Sequence, residues 1–475
     1  MKSLLIISTL LIAAWGSSLA AEKPNVLFIP IDDLNHWVRH LGRNKQTKTP
    51  NLDRLAKMGV TFTNAHCAAP ICNPSRTALL SGIRPSTTGI YDNGVHFSKG
   101  AGVSAAGSLV MQFKNAGYET LGMGKLWHGG LGFPEQWTAT SKESVERGKL
   151  DDRSIGGIQF GIITGGDECV PDTATADWAI AELGKKHDKP FFLVPGFHKP
   201  HMPWNVPKKY YDMHPLAEIE LPPIKADDLA DMPDAGVKMA RKSGDHARVL
   251  ESGRWKEAVQ GYLAAISYLD AQVGRVVDAL EKSAYKDNTI ICLWGDHGWS
   301  LGEKEHWRKF ALWEETTRAP LIWVVPGVTK AGGVCSKPVD FMSIYPTLCD
   351  VAGIAKPAHV TGLNIRPLLA DPKAEWTAPA LTTHGINNHA VRTDRWRYIR
   401  YADGGEELYD HSNDEYEWTN LAAKPEHAAL KAELAKYFPT TNVPELKGKG
   451  GDSEEGAATD EEKAKRKAKR QAAKQ

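Results

Sequence analysis

Three short apolar runs, each ended by charged or polar side chains, constrain the fold of this 475-residue chain more than any other feature. They are NVLFIPIDD at 25–33, FFLVPGFHKPH at 191–201 and TIICLWGDHG at 289–298. Short apolar runs of this kind are typical of strands buried on both faces. Before the third run, apolar residues recur at helical spacing from Val259 to Leu280, which predicts an amphipathic helix. Strands alternating with helices indicate a parallel α/β sheet.

The residues that end these runs predict a ligand site at one edge of the sheet, because open α/β sheets bind ligands beyond the carboxyl ends of their strands. Asp32 and Asp33 end the first run, and Asp296 and His297 end the third. Adjacent strand residues point to opposite faces, so both aspartates can reach one point only where the backbone turns. An oxygen-rich set favours Ca²⁺ or Mg²⁺. The alternative is that each pair caps or begins a turn.

Cationic and imidazole side chains occur in three further loops. They are Lys125 and His128 in GMGKLWHGG, His198, Lys199 and His201 in GFHKPHMPW, and His306, Arg308 and Lys309 in EKEHWRKF. Each of them alone is more often a solvated surface charge. Together they would supply positive donors around a tetrahedral oxyanion and a titratable group near its leaving oxygen.

A cysteine, a serine and an arginine lie close together in ICNPSRTALLSG at 71–82, where the sequence predicts the start of a helix. Taken alone, the segment also fits a buried structural cysteine beside a helix cap. The unpaired amides of a helix entrance would suit an oxyanion. The chain has six cysteines and no CxxC pair, which leaves one or two disulfides open.

The motif CNPSR followed by TALLSGIRP resembles the signature of the type I sulfatases of the alkaline phosphatase superfamily, in which the cysteine is oxidised after translation to formylglycine. The resemblance runs from about residue 24 to residue 421, and DHGWSLGE, GFHKPHMPW and MSIYPTLCDVAGI are particularly similar to the iduronate-2-sulfatase branch. It implies an alkaline phosphatase-like α/β sandwich with a large mixed, mostly parallel sheet flanked by helices. A smaller C-terminal subdomain would carry an antiparallel sheet. The implied activity is hydrolysis of O-sulfate esters of carbohydrates, with uronate 2-O-sulfate as the expectation from the branch.

The resemblance also implies a metal site and a modified residue. Asp32, Asp33, Asp296 and His297 would bind the metal, commonly Ca²⁺ with Mg²⁺ as the alternative, together with Cys72 as formylglycine. Many sulfatases have asparagine at the position of His297, whereas the iduronate-type branch uses histidine. Ile83 departs from the arginine of many members, and we expect little effect on modification.

Catalytic roles follow from the same resemblance. Arg76 would hold the formylglycine hydrate, and Lys125, His198 and Lys309 would contact the sulfate. His198 would also protonate the departing sugar oxygen, and His128 would act as the base of the second step. For activation of the attacking hydroxyl, Asp33 is preferred over the other aspartates.

The sugar pocket is harder to predict from sequence. Aromatic and imidazole side chains could line it by stacking on a sugar face, but core packing is the alternative for each of them. The candidates are His96, His201, Trp204, Trp307 and His384.

The ends of the chain predict an exported protein. Residues 1–20 have a lysine, a short apolar run and a small-residue site after Ala20, which indicates a cleavable signal peptide; an uncleaved anchor is the alternative. The expected location is a periplasm or the exterior. We predict a catalytic domain over 21–375, a C-terminal subdomain over 376–445 and a disordered charged tail over 446–475.

Composition limits the partners. A formal net charge of +1 with 24% charged residues gives no case for nucleic acid as the main partner. The expected partners are a sulfated carbohydrate and a formylglycine-generating, sulfatase-maturing enzyme. Two other functions stay open: a phosphate or phosphonate monoester hydrolase of the same superfamily, and a non-catalytic glycan-binding derivative.

Overall fold

The computed structural model describes residues 23–146 and 148–448. The predicted signal peptide and the tail beyond residue 448 lie outside these described residues. Within the described part, no helix is both long enough and apolar enough to cross a membrane.

An eight-stranded sheet lies at the centre of the fold, and four smaller sheets surround it. The strands of all five sheets are, in chain order, β1 (Asn25–Ile31), β2 (Val60–Phe62), β3 (Ala65–His66), β4 (Glu119–Gly124), β5 (Ala139–Thr140), β6 (Leu150–Asp152), β7 (Phe160–Ile163), β8 (Phe191–Gly196), β9 (Trp204–Pro207), β10 (Thr289–Gly295), β11 (Ser300–Leu301), β12 (Trp307–Arg308), β13 (Leu321–Val324), β14 (Gly333–Cys335), β15 (Val339–Asp340), β16 (Ala380–Thr383), β17 (His389–Arg392), β18 (Trp396–Arg400) and β19 (Glu406–Asp410).

Helices cover both faces of the central sheet. The α-helices are α1 (Pro50–Met58), α2 (Cys72–Ser81), α3 (Pro85–Thr88), α4 (Leu109–Asn115), α5 (Pro171–Leu183), α6 (Lys208–Asp212), α7 (Asp234–Arg241), α8 (Asp245–Ser252), α9 (Trp255–Lys282), α10 (Glu314–Thr317), α11 (Ile344–Val351), α12 (Arg366–Ala370) and α13 (Ala428–Ala435). Short 3₁₀ helices span Arg39–Leu41, Phe97–Lys99, Pro134–Gln136, Asp167–Cys169, Leu216–Glu218, Lys286–Asn288, Glu303–Glu305, Phe341–Ser343 and Pro425–His427.

The strand order of the central sheet is β14-β2-β13-β10-β1-β8-β4-β5. The four strands β10, β1, β8 and β4 run parallel, whereas β13 is antiparallel to both of its neighbours. Strands β16 to β19 form a separate four-stranded antiparallel sheet near the C-terminus. The predicted fold class, a mixed and mostly parallel sheet with an antiparallel C-terminal sheet, is confirmed. The boundary predicted at residue 376 stays a prediction.

The three apolar runs of the sequence are the neighbouring strands β10, β1 and β8. Strand β1 is buried along its whole length, and its alternate residues face two different cores. Leu27 packs with apolar residues of α1, α5 and α9, while Phe28 packs with those of α2, α4 and α11. The helix predicted over 259–280 is the centre of α9. Burial on both faces explains why these strands are apolar almost throughout.

Candidate active site

Four adjacent parallel strands end at one place, and each end carries a predicted site residue. Asp32 follows β1, Asp296 follows β10, and His198 is the second residue after the end of β8. Lys125 follows β4, which pairs with β8. The carboxyl ends of neighbouring parallel strands lie side by side, so residues far apart in the sequence meet at this edge.

The backbone turn after β1 brings both aspartates to the site. Asp33 has a φ of 58°, in the left-handed region that aspartate tolerates better than most residues. Its amide donates to Asp296 Oδ1 over 3.0 Å, and the hydroxyl of Tyr262 donates to its carbonyl over 2.8 Å. The turn therefore places Asp32 and Asp33 on one side, as a regular strand could not.

Cys72 is the first residue of α2, and its side chain is fully buried. Lys309 Nζ donates to its Sγ over 3.0 Å, and His297 Nε2 lies 3.3 Å from the same sulfur. Burial alone would raise the pKa of the thiol, but Lys125 and Lys309 hold that pKa below its ordinary value. The position of residue 72 is therefore suited to negative charge.

Arg76 ties the strand ends together from one turn further along α2. Its Nε donates to Asp296 Oδ2 over 2.8 Å, and its Nη2 donates to Asp32 Oδ1 over 3.2 Å. Its Nη1 donates to the carbonyl oxygens of Lys125 and Leu126 over 3.2 and 2.9 Å. Because the guanidinium is completely buried, these bonds fix the relative positions of β1, β10 and the loop after β4.

Two buried lysines complete the cluster. Lys125 Nζ donates to Asp32 Oδ2 over 2.5 Å, and Lys309 Nζ donates to Asp33 Oδ1 over 2.9 Å. Arg308 and Phe310, on either side of Lys309, have φ values of 73° and 78°. Left-handed non-glycine residues each cost about 1–3 kcal/mol. Strain on both sides of Lys309 indicates that its position is set by more than local stability.

The carboxylates of the cluster fit a divalent cation. Ligand atoms of Asp32, Asp33 and Asp296 lie within 4.8 Å of one another, and so do those of Asp33, Cys72 and His297. Asp33 Oδ2 is buried, yet it accepts no hydrogen bond within the described residues. A buried carboxylate oxygen without a partner is costly, and a hard cation such as Ca²⁺ or Mg²⁺ would satisfy it.

Two residues that the sequence did not reveal hold His198. Its Nδ1 lies 3.4 Å from Glu143 Oε1 and 3.5 Å from Asp172 Oδ1. The amides of His198 and Lys199 also donate to the Asp172 carboxylate over 2.9 and 2.7 Å. Asp172 lies in the first turn of α5, after Pro171, where an acid is expected in any helix, so the only sequence signal for it was ambiguous.

Two of the other predicted residues lie near the loop after β4. His128 is half-buried in this glycine-rich loop, three residues after Lys125. His96 is exposed, and its ring lies 4.2 Å from that of Phe97, which contacts Trp127 at 4.5 Å between centroids. His96 is thus at the rim of the same loop.

The structure does not bring the two tryptophans or His384 into the cluster. Trp204 is fully buried and packs against Tyr262 and Trp299, with centroids 5.2 and 6.0 Å apart. Trp307 is 1% exposed, and its Nε1 donates to His246. Both tryptophans therefore pack in the core, which the sequence left open as the alternative to sugar contact. His384 lines a separate cleft of about 500 Å³ together with Lys238 of α7 and Lys242, which follows that helix.

His201 lies closer to the acids. Its Nε2 is 3.9 Å from Asp33 Oδ2 and 4.0 Å from Asp32 Oδ2. It also lines a cavity that begins beside His198. Of the five candidates for sugar contact, His201 is therefore the one that the structure places between the carboxylate cluster and a cavity. All six cysteines are free thiols, so no disulfide forms.

Comparison with known proteins gives matches over most of the chain. The family model described as Sulfatase matches residues 24–354, and the model described as N-sulphoglucosamine sulphohydrolase, C-terminal, matches residues 302–443. A sulfatase of Formosa agariphila is 40% identical over 449 residues, which cover 89% of this chain and 87% of that protein. An iduronate 2-sulfatase of Mus musculus is 31% identical over 398 residues, which cover 73% and 71% of the two chains.

Among solved structures, a phosphonate monoester hydrolase of Silicibacter pomeroyi is 22% identical to this chain. The two superpose with a TM-score of 0.73 over 87% of this chain and 94% of the other. At this level of identity the likeness shows a shared fold and says nothing of a shared substrate.

Proposed function

The chain belongs to the sulfatase family and is a sulfuric ester hydrolase, and from that premise we propose that it is an exported enzyme that removes O-sulfate groups from carbohydrates, with uronate 2-O-sulfate as the expected substrate. The family resemblance of CNPSR is thereby confirmed. The sugar and its position are suggested by the iduronate 2-sulfatase relative. Export rests on residues 1–20 of the sequence alone.

One observation carries the proposal. The side chain of Cys72 points into a buried cluster in which a lysine and a histidine contact its sulfur and Asp33 Oδ1 lies 3.7 Å from it. A structural thiol has no need of such neighbours, because buried cysteines ordinarily pack as small apolar side chains. The cluster suits a residue that carries oxygen and negative charge, as a hydrated formylglycine would.

Two groups would complete the site. Formylglycine at position 72 would provide a geminal diol as the nucleophile. A divalent cation would act as a Lewis acid, held by Asp32, Asp33, Asp296 and His297. Three carboxylates of the cluster are already matched by Arg76, Lys125 and Lys309. A further divalent charge would leave the cluster positive, which favours an anionic sulfate ester.

The chain's own residues then divide the remaining tasks. Lys125 and Lys309 would hold the sulfate oxygens, and their existing bonds to aspartates keep them in place before substrate arrives. Arg76 keeps the strand ends and residue 72 in register. Asp33 would accept the proton of the attacking hydroxyl, and His128 that of the second hydroxyl when sulfate is expelled. His198 would donate a proton to the leaving sugar oxygen.

Mass analysis of the peptide that spans residue 72 tests the nucleophile directly. In protein purified from its natural source, we expect the thiol to be replaced by an aldehyde that reacts with hydrazide reagents. Protein that carries only the unmodified thiol would leave the proposal without its nucleophile. Expression with and without a sulfatase-maturing enzyme should give modified, active protein in the first case and unmodified, inactive protein in the second.

Substrate comparison tests the choice between sulfate and phosphate esters. The modified enzyme should hydrolyse 4-nitrophenyl sulfate with a higher kcat/KM than 4-nitrophenyl phosphate or a phenyl phosphonate. Chelation followed by return of Ca²⁺ or Mg²⁺ should abolish and restore this activity. A large preference for the phosphorus esters would favour the phosphonate hydrolase alternative, and no turnover of any ester by modified protein would favour glycan binding without catalysis.

A further inference from the structure

A cavity of about 350 Å³ opens at the end of β8, next to the carboxylate cluster. His198, Lys199 and His201 form one wall, and the segment around Glu143 together with the start of α5 forms another. Apolar side chains complete the lining: Leu150, Ile163, Val170 and Met202. A volume of this size accommodates a monosaccharide or a small part of a glycan chain.

Asn205 gives this cavity an unused polar group. It lies on β9, next to the buried Trp204, and its Oδ1 is buried without a hydrogen-bond partner in the described part of the chain. Leaving a buried amide oxygen unpaired costs about 1–3 kcal/mol. A side-chain amide beside apolar side chains is suited to a sugar ring, which presents hydroxyl groups at its edge and C–H groups on its face.

One residue connects the cavity with the carboxylate cluster. His201 borders both the cavity and the two aspartates, at 3.9 Å from Asp33. His198 lines the same cavity, so a leaving group bound there would have this imidazole beside it. We propose that this cavity binds the sugar that leaves, with the side-chain amide of Asn205 hydrogen-bonded to a sugar hydroxyl. The inference rests on the proposed sulfatase function.

The test compares two substrates in an Asn205→Leu variant, which keeps the side-chain size but removes the amide. The probes are 4-nitrophenyl sulfate and a 2-O-sulfated uronate disaccharide. We expect kcat/KM for the disaccharide to fall about tenfold more than that for the aryl sulfate, as one lost hydrogen bond predicts. Exposed Asn413 gives a matched control, and Asn413→Leu should change neither value.

Equal losses on both substrates, or no loss on the disaccharide, would overturn the sugar-pocket inference. The proposed function has a separate test in the unaltered enzyme, because modified wild-type protein that cleaves neither ester refutes the sulfatase assignment before any variant is compared. Thermal unfolding of the variant shows whether a general loss comes from misfolding.

A second inference comes from the carboxylates around His198. Glu143 and Asp172 both face Nδ1, and Thr175 Oγ1 donates to Glu143 Oε1 over 3.1 Å, which fixes that carboxylate. Asp172 is itself held by two backbone amides. With Nδ1 directed to the carboxylates, Nε2 is the nitrogen left to face the substrate. The structure assigns Asp172 and Glu143 as positioning residues that hold His198 as the acid for the leaving oxygen.

The proton balance of the step is simple. As the sulfur–oxygen bond to the sugar breaks, its electron pair stays on the sugar oxygen, which takes the proton from His198 Nε2. The imidazole becomes neutral and keeps its Nδ1 proton towards Asp172 and Glu143. Burial alone would lower the pKa of His198, but the adjacent carboxylates of Asp172 and Glu143 raise that pKa to about 9. Lys199 and His201 are the other titratable groups on this wall of the cavity.

An Asp172→Asn variant distinguishes positioning of an acid from a merely structural role. We expect kcat for the sugar sulfate to fall about 10²-fold, in line with loss of general acid catalysis, and kcat for 4-nitrophenyl sulfate to fall much less. Nitrophenolate leaves readily without a proton, so its turnover depends little on the acid.

The pH profile gives the second readout. Activity that needs protonated His198 is present below its pKa and is lost as pH rises through about 9. Without the Asp172 charge this alkaline limb should move to lower pH, and Glu143→Gln should move it in the same direction. Equal loss on both substrates together with an unmoved limb would show that Asp172 is structural only.

Discussion

Two buried clusters of charge, one at the strand ends and one beneath the C-terminal sheet, have similar compositions but differ in how completely their carboxylate oxygens are paired. The strand-end cluster contains three aspartates, Arg76 and two lysines. The second, which we call the junction cluster, consists of Glu314, Arg392, Arg397, His411 and Glu417. Both are almost completely removed from water, where unpaired charges are costly.

In the junction cluster, charged groups are directed at each other and at the backbone. Arg397 pairs with both Glu314 and Glu417 and donates from Nη1 to the carbonyl of Leu312 over 2.9 Å. The amide of Glu314 donates to Glu417 Oε2 over 2.9 Å. Glu314, Glu417 and His411 also have the spacing of metal ligands, but the Arg397 guanidinium already pairs with both carboxylates.

In the strand-end cluster, by contrast, Asp33 Oδ2 has no hydrogen-bond donor among the described residues, and Lys309 is directed at a thiol. The difference teaches that burial and charge do not identify an active site by themselves. An incompletely satisfied cluster indicates a ligand, whereas a satisfied one indicates attachment of one part of the fold to another.

The largest expected effect is on activity at the strand-end cluster. Cys72→Ala removes the residue that we propose is modified, and we expect hydrolysis of any sulfate ester to fall by at least about 10³-fold. Because the side chain becomes only slightly smaller, circular dichroism and the free energy of unfolding should change little. Cys335→Ala, at another buried thiol, is the matched control and should keep full turnover per folded molecule. Retained activity in Cys72→Ala would refute the role of residue 72.

The converse effect is expected at the junction cluster. Arg397→Met removes a cation that pairs with two buried glutamates, so the free energy of unfolding should fall by about 3–5 kcal/mol. Turnover by the molecules that remain folded should stay within a few-fold of the wild type, because Arg397 lies outside the strand-end cluster. Urea denaturation and active-site titration measure the two quantities separately. A large loss of turnover with unchanged stability would reverse the distinction drawn between the clusters.

Acid should weaken the junction cluster through its glutamates. Burial alone would raise the pKa of Glu314, but Arg392, His411 and other cations hold that pKa well below its ordinary value of 4.5. Burial would likewise raise the pKa of Glu417, but Arg397 holds that pKa below its ordinary value.

Carboxylates with lowered folded-state pKa values stabilise the protein above their unfolded pKa, and this contribution is lost as pH falls through the folded values. The free energy of unfolding should therefore decline below about pH 4.5, and it should decline less steeply in Arg397→Met. Equal slopes in the two proteins would mean that acid acts elsewhere.

The sequence allowed the central features to be predicted because their signals are local. Strands β1, β8 and β10 are continuous apolar runs, and the residues just after them are the acids and histidine of the site. Lys125 is predicted through its glycine-rich loop, although β4 itself, with the sequence ETLGMG, has no continuous apolar run that would predict a buried strand.

What the sequence could not supply was the direction of side chains and the pairing of distant segments. Trp204 is a candidate for sugar contact because an aromatic ring can stack on a sugar face, yet β9 directs it into the core against Tyr262. Glu143 and Asp172 meet His198 only because the segment before β6 and the start of α5 converge at the end of β8. Asn205 likewise has no signal in the sequence, since its importance lies in an unfilled hydrogen bond.

The smallest effect on stability is expected at an exposed ion pair, which serves as a reference for the buried clusters. Arg54 Nη2 donates to Asp278 Oδ1 over 2.5 Å, but these side chains are 40% and 46% exposed. Water competes for both charges and the long side chains lose entropy in pairing, so Arg54→Ala should cost at most about 1 kcal/mol of unfolding free energy. Turnover should be unchanged. If this variant were as destabilising as Arg397→Met, ion pairing as such, and not its burial at the junction, would explain the stability of the C-terminal sheet.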